Sequence, residues 1–254
     1  MFELIAKIRD DVELLDRRAL LAMLYTAAGL TCIYYFKNAD FLQDVGVRIP
    51  QTTGLVNFLL DTRDNNLRLL GYWVLVSVFF YVAVPAVIVK AIYRGRLSDY
   101  GLNLRLEHGF LPLLLQGAAV MLPLTYLMSL TAGFATKYPF LKVYNGEPYL
   151  SSTLLIWELI YFLQFFGLEF FFRGFLLHSL KPALGAYAIF VMMVPYCMIH
   201  FGKPMPEAFA AIMAGVFLGW LSYRNGNIWL GLVLHCMVAF SMDILALWNK
   251  GLLF

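Results

Sequence analysis

The sequence predicts an all-α, polytopic membrane helix bundle with about seven transmembrane helices. Of its 254 residues, 61% are apolar and 14% are charged, against about 25% charged residues in soluble domains. The apolar residues fall into runs of about 20, the length that a helix needs to cross a bilayer. Turn residues and charges separate the runs, and no internal repeat divides them. We therefore expect residues 1–254 to form a single membrane domain.

The elements follow one another in a simple order. Residues 1–18 are amphipathic and charged, which predicts a helix at the membrane surface. The run Gly54–Leu60 is too short to span. Pro204 and Pro206 end the fifth span, and Asn225-Gly226 is a turn between the last two spans. The expected spans are Ala19–Phe36, Leu69–Ile92, Phe110–Leu130, Leu154–Leu180, Leu184–His200, Glu207–Tyr223 and Ile228–Trp248.

The distribution of basic residues indicates the orientation. With the N-terminus inside, ten Lys and Arg residues fall in inside segments and eight in outside segments. The pair Arg17-Arg18 directly precedes the first span, which usually dominates topology. We expect a cytoplasmic N-terminus. No basic tract suggests a nucleic-acid partner, so the expected partners are membrane lipid and a peptide or protein substrate.

The fourth span carries three ionisable side chains among apolar ones. Glu169 and Arg173 are one helical turn apart on the same face, and Glu158 lies about three turns earlier in a similar direction. An ion pair at i and i+4 can simply neutralise itself. Inside a membrane, however, a charged pair is costlier than leucine, so a functional role is the better interpretation.

Further polar residues lie in or beside the last three spans. His200 ends the fifth, Glu207 opens the sixth, and His235 lies in the middle of the seventh with Asp243 about two turns later. A lone histidine in an apolar helix is usually an interhelical hydrogen-bonding residue. Two histidines together with the Glu169 helix supply a general base, an imidazole pair and a cation.

These motifs resemble the CPBP intramembrane proteases, which include the type II CAAX prenyl endopeptidases and bacteriocin-processing relatives. Glu169-Phe-Phe-Phe-Arg173 resembles the end of the first motif, Tyr196-Cys-Met-Ile-His200 the second, and His235 the third. The connector 96–102 is also similar, so the family-like core covers residues 90–243. The resemblance implies an intramembrane endopeptidase, in a prokaryotic inner (plasma) membrane, that uses Glu/His-activated water.

Two positions depart from the family pattern. Leu168 replaces the first glutamate of the first motif, and Ala239 replaces the asparagine of the third. The chain is similar to a variant subgroup with a single glutamate followed by phenylalanines and Arg-Gly. Either Glu169 is the base or another carboxylate takes the role. The auxiliary candidates are Glu158, Glu207 and Asp243, of which Glu207 is our preferred substitute.

The resemblance implies a metal-free mechanism without a cofactor. Glu169 would polarise the water together with His200, His235 would stabilise the oxyanion, and Arg173 would hold the glutamate. The alternative is catalytic zinc, because Glu169, His200 and His235 form a Glu/His/His ligand set with room for water.

Two functions other than proteolysis remain open from the sequence. Leu168 and Ala239 favour a catalytically degenerate, CPBP-like binding or scaffold protein. Intramembrane Glu, Arg and His also occur in proton-coupled transporters, although this chain lacks the repeat symmetry that is common among them.

Overall fold

The computed structural model describes residues 14–63, 65–106, 109–142 and 152–252. Its described residues form helices and no β-strand, apart from isolated bridges between residues 101–102 and Asn227. Six of these helices are long and apolar enough to cross a membrane. The prediction of an all-α polytopic bundle is therefore confirmed.

The six long apolar helices lie close to predicted spans, and shorter helices lie between them. We number them in chain order. They are α1 (Arg17–Phe36), α2 (Ala39–Arg48), α3 (Thr53–Leu60), α4 (Leu67–Ile92), α5 (Phe110–Ser129), α6 (Ala132–Lys137), α7 (Ser152–Leu184), α8 (Tyr187–Met198), α9 (Met205–Asn225) and α10 (Trp229–Asn249).

The first span begins earlier than predicted. Asp16 caps α1 by accepting a hydrogen bond from the backbone N–H of Ala19 at 2.8 Å, so Arg17 and Arg18 already belong to the helix. Residues 1–13 of the predicted surface segment lie outside the described residues.

The polar stretch after α1 is helical, which the sequence analysis did not predict. α2 carries Asp40 in its first turn and an exposed Asp44–Arg48 ion pair one turn apart at 2.7 Å. Both features stabilise a short surface helix. α3 follows after Pro50, which fits the first turn of a helix.

The fifth predicted span is the element that differs most. Its helix, α8, runs for 12 residues from Tyr187 to Met198 and is shorter than the length that normally crosses a bilayer. Gly185 ends the preceding helix with φ +54°, and the chain turns after Met198. His200 therefore lies beyond the helix end, in a turn.

The longest helix, α7, is the centre of the bundle. Of its most apolar 18-residue window, 61% is buried inside the protein. The side chains of Phe170, Phe171 and Phe172 are fully buried, so they pack inside the protein and do not contact lipid. The other spans surround this helix and bury its polar side chains.

α7 changes its winding directly after Glu169. Residues Phe170–Leu176 form a π-helical segment, a feature that often marks functional sites. The hydroxyl of Ser222 on α9 donates to the carbonyl oxygen of Arg173 at 2.9 Å. A β-carbon at Gly174 would collide with the carbonyl oxygen of Tyr100. The 96–102 connector therefore packs directly against the π segment.

Small residues let α8 and α9 approach closely. A β-carbon at Gly215 would lie 2.9 Å from Met193 Cγ, and one at Gly219 would lie 2.7 Å from Met192 Cε. The two glycines therefore provide the close helix packing that their spacing predicts.

Candidate active site

The carboxylate of Glu169 contacts two partners through the same oxygen. Its Oε1 lies 2.6 Å from Nδ1 of His235 and 3.1 Å from Nη1 of Arg173. The side chains of Glu169 and Arg173 are fully buried. Because an isolated charge in such a place is very costly, each charge requires the other.

His235 connects Glu169 to a tyrosine. Its Nδ1 faces the carboxylate, so Nδ1 carries the proton that this hydrogen bond needs. Its Nε2 lies 3.0 Å from the hydroxyl of Tyr196, which then donates to the nitrogen lone pair. The result is a hydrogen-bonded chain of carboxylate, imidazole and hydroxyl. The imidazole also stacks on Phe165, with ring centroids 5.2 Å apart.

The guanidinium of Arg173 lies between Glu169 and the ring of Tyr196. Its Cζ is 3.8 Å from the ring centroid, within the range of a cation–π contact. None of its N–H groups makes a well-aligned hydrogen bond to a described residue. The arginine therefore acts on the site mainly through its charge.

His200 approaches the same tyrosine from the end of α8. Its Nδ1 lies 3.0 Å from the backbone carbonyl oxygen of Tyr196, and its ring centroid is 5.0 Å from the centroid of the Tyr196 ring. Because a carbonyl oxygen only accepts hydrogen bonds, Nδ1 is the donor and Nε2 of the neutral ring carries the lone pair.

A large cavity borders this cluster. It has a volume of about 1250 Å³, and α1, α4, α7, α8 and α10 contribute to its walls. His200 and His235 both line it, whereas Glu169 does not. The structure therefore presents two imidazoles to the cavity and keeps the carboxylate behind them. Glu169, which the sequence predicts to contact the substrate water, therefore lies outside the cavity lining and touches it through His235.

The two positions that depart from the family pattern are apolar and buried. Leu168 is 4% exposed and lines the cavity, so the wall is apolar where the family pattern has a carboxylate. Ala239, one turn after His235, packs in an apolar cluster with Trp157, Tyr161 and Phe165.

Glu158 and Asp243 belong to a separate cluster. Asp243 accepts a hydrogen bond from the indole N–H of Trp157 at 2.8 Å. Glu158 is buried beside Asp243, and neither of its carboxyl oxygens makes a well-aligned hydrogen bond to a described residue. Eleven residues separate Glu158 from Glu169, about 16 Å along the helix. The structure does not bring these two carboxyl groups to the histidines.

Glu207 is engaged elsewhere. Its carboxylate forms an ion pair with Lys203 and accepts a hydrogen bond from the hydroxyl of Tyr138 at 2.9 Å. It does not line the cavity. Our preferred substitute base therefore has two other partners.

The described residues contain no group of three or more His, Cys, Asp or Glu side chains that could hold a metal ion. Glu169 and His235 touch each other, but Tyr196 lies between His235 and His200. The zinc alternative thus lacks the three-ligand arrangement of a catalytic zinc site in this conformation.

Two residues of the candidate site were not predicted from the sequence. Tyr196 was identified only as the aromatic residue of the second motif, and its hydroxyl contact was not expected. Gly231 was not singled out, yet a β-carbon there would lie 2.6 Å from Oε2 of Glu169. Its position one turn before His235 is the signal that could have identified it.

Comparison with known families supports the motif analysis. Residues 150–241 match the model of the type II CAAX prenyl endopeptidase Rce1-like family. The comparisons with curated proteins and with solved structures gave no match. The matched region contains Glu169, Arg173, His200 and His235. The resemblance drawn from the sequence motifs is therefore confirmed: residues 150–241 are similar to the Rce1-like family.

Proposed function

We propose that the protein is an intramembrane endopeptidase that cleaves a membrane-associated peptide or protein. One observation carries the proposal. Glu169 is hydrogen-bonded to His235, and His235 and His200 line the same cavity. The Rce1-like match over residues 150–241 supports the same class of activity.

In the proposed reaction, the two histidines activate a water molecule. The hydroxyl of Tyr196 turns from Nε2 of His235 towards the forming oxyanion, which frees the lone pair of Nε2. Nε2 then accepts a proton from the water while the water oxygen attacks the carbonyl carbon of the peptide bond. Nε2 of His200 accepts the second hydrogen bond from the water and orients it. His235 then returns the proton to the leaving nitrogen as the carbon–nitrogen bond breaks. The hydroxyl of Tyr196 donates a hydrogen bond to the oxyanion.

Glu169 and Arg173 are positioning residues in this proposal. Glu169 fixes the tautomer of His235 and stabilises the imidazolium that forms, as the aspartate does in a Ser-His-Asp triad. Arg173 keeps the buried Glu169 ionised by balancing its charge. In this proposal Glu169 polarises the water indirectly, through His235, and not by direct contact.

A binding protein without catalytic activity is the second candidate, and Leu168 favours it. An apolar side chain on the cavity wall removes the carboxylate that would otherwise contact the water directly. Such a protein would bind a peptide in the cavity and release it uncleaved.

The protein is an integral membrane protein by its apolar helices and family match. We further propose a prokaryotic inner (plasma) membrane and a cytoplasmic N-terminus. The pair Arg17-Arg18 at the start of α1 supports this orientation.

The test is a cleavage assay with the purified full chain in lipid vesicles, read by mass spectrometry of a library of membrane-associated peptides. Glu169→Gln, His200→Ala and His235→Ala are each expected to lose about 10² or more of the cleavage rate. The matched control is Glu158→Gln, on the same helix but in the other polar cluster, which should cleave at a rate close to wild type. Peptide binding without cleavage by the wild type would favour the second candidate.

A further inference from the structure

The cavity beside the histidines carries positive charge at one end. Lys37, Lys137 and Lys203 all line it. Lys37 directly follows α1, Lys137 is the last residue of α6, and Lys203 lies in the turn after α8. Three chain segments thus bring lysines together where helices end, which in a bilayer is the level of the lipid headgroups.

Two of these lysines lack an acidic partner among the described residues. Lys203 is paired with Glu207. Lys137 donates a hydrogen bond to the carbonyl oxygen of Gly202 at 3.0 Å, and Nζ of Lys37 lies 6.0 Å from the centroid of the Trp73 ring. Burial lowers the pKa of Lys37, and the charges of Lys137 and Lys203 lower it further. An anion at this end would relieve the repulsion.

The cavity walls are apolar and open to the surface that faces lipid. Met23 on α1 and Met198 on α8 line the cavity, yet they are 42% and 54% exposed. Exposed apolar side chains on membrane helices contact acyl chains. A ligand that fills this space therefore needs an apolar chain as well as a negative charge.

We propose that the cavity binds one anionic phospholipid, with its phosphate between Lys37 and Lys137 and an acyl chain along the wall towards His200 and His235. Basic pockets between membrane helices are known to bind such headgroups. A free inorganic anion would leave the apolar walls without a partner. The bound chain shares the cavity with the histidines, so a substrate that reaches them must displace it. The binding itself does not depend on the proposed catalysis.

The experiment compares two lipids with identical acyl chains, phosphatidylglycerol and phosphatidylcholine, on the purified full chain in detergent. Native mass spectrometry measures affinity, and thermal unfolding measures the shift in midpoint that each lipid causes. The wild type is expected to bind phosphatidylglycerol more tightly. Lys37→Gln/Lys137→Gln should weaken that binding by about thirtyfold, and either single variant by about fivefold.

The matched control is Lys142→Gln/Lys250→Gln, which removes two lysines at the same end of the bundle that do not line the cavity. It should retain the preference for phosphatidylglycerol. Val191→Trp places a larger side chain in the apolar part of the cavity. It should weaken the binding of both lipids and leave the preference for phosphatidylglycerol unchanged. If the double variant unfolds, the affinities of Lys37→Gln and Lys137→Gln for phosphatidylglycerol are compared with that of the wild type instead.

Three results would overturn the proposal. The first is equal affinity of the wild type for the two lipids. The second is an equal loss in the cavity and control lysine variants. The third concerns a peptide ligand. The proposal fails if a peptide with a free C-terminal carboxylate binds, its C-terminal amide does not, and the binding requires Lys37 and Lys137 while phosphatidylglycerol does not compete with it.

Discussion

Gly231 makes room for the carboxylate of Glu169. A β-carbon built at Gly231 would lie 2.6 Å from Oε2 of Glu169, closer than nonbonded atoms approach. Glu169 is fully buried, and its Oε1 is bound to His235. The glutamate therefore cannot accommodate a larger residue on α10 without changing that hydrogen bond.

This contact predicts that Gly231→Ala impairs the site. The added methyl group should displace Glu169 from His235 and lower the cleavage rate at least tenfold. It should also lower the free energy of unfolding by about 1–3 kcal/mol. Gly71→Ala is the matched control, because nothing lies within 4 Å of a β-carbon at Gly71 in α4. It should be neutral or slightly stabilising. Equal effects of the two substitutions on cleavage would contradict the assigned role of Gly231.

Arg173→Met is predicted to destabilise the protein strongly. It leaves the ionised Glu169 buried without its cation, which costs about 3–5 kcal/mol in comparable buried pairs. Thermal unfolding in detergent measures the loss. The double variant Arg173→Met/Glu169→Leu should recover most of the stability while remaining inactive. A double variant as unstable as Arg173→Met would show that packing of the arginine side chain, and not charge balance, is decisive.

Tyr196→Phe is predicted to lower the cleavage rate without a large loss of stability. The substitution removes the hydroxyl that contacts Nε2 of His235 but keeps the ring on which Arg173 lies. If the hydroxyl stabilises the oxyanion, kcat should fall by about 10²–10³ with KM little changed. Tyr161→Phe is the control, since Tyr161 is another buried tyrosine near the site and has no hydrogen bond to His235.

Removal of metal is predicted to leave cleavage unchanged. The proposed reaction uses imidazole and carboxylate groups, and the described residues do not gather three ligands for a metal ion. The measurement is the cleavage rate before and after dialysis against a chelator. A loss that added zinc reverses would favour the alternative ligand set of Glu169, His200 and His235.

The sequence predicted the fold and most of the site because both follow from simple rules. Apolar runs set the spans, and the charges of Glu169 and Arg173 require a protein interior. The π-helical segment after Glu169 was not predictable, because it depends on Ser222 and Tyr100, which are distant in sequence. The same holds for the hydroxyl of Tyr196, whose partner is on another helix.

The helical α2 and α3 were missed for a different reason. Both helices are too short or too polar to cross a bilayer, so the apolar runs that predict spans do not include them. The predicted fifth span is longer than the observed helix. Its apolar run continues to His200, but the backbone turns after Met198.

Glu207→Gln tests whether Glu207 replaces the glutamate that the family pattern has at Leu168. Its carboxylate binds Lys203 and the hydroxyl of Tyr138, and its side chain is 13% exposed. Because Glu207 itself does not line the cavity, we predict that Glu207→Gln cleaves within about threefold of the wild-type rate. Only a group that transfers the proton contributes about 10² or more to that rate.

The same substitution should reduce stability modestly. It removes a partly exposed ion pair, which contributes roughly 1 kcal/mol or less, while the glutamine can still accept a hydrogen bond from Tyr138. Lys203→Gln is the matched variant, because it removes the other half of the same pair. If Glu207→Gln lost about a hundredfold in rate while Lys203→Gln did not, Glu207 would have to act as the base in a second conformation. Similar small effects for both variants would leave the Glu169–His235 pair as the base of the proposed reaction.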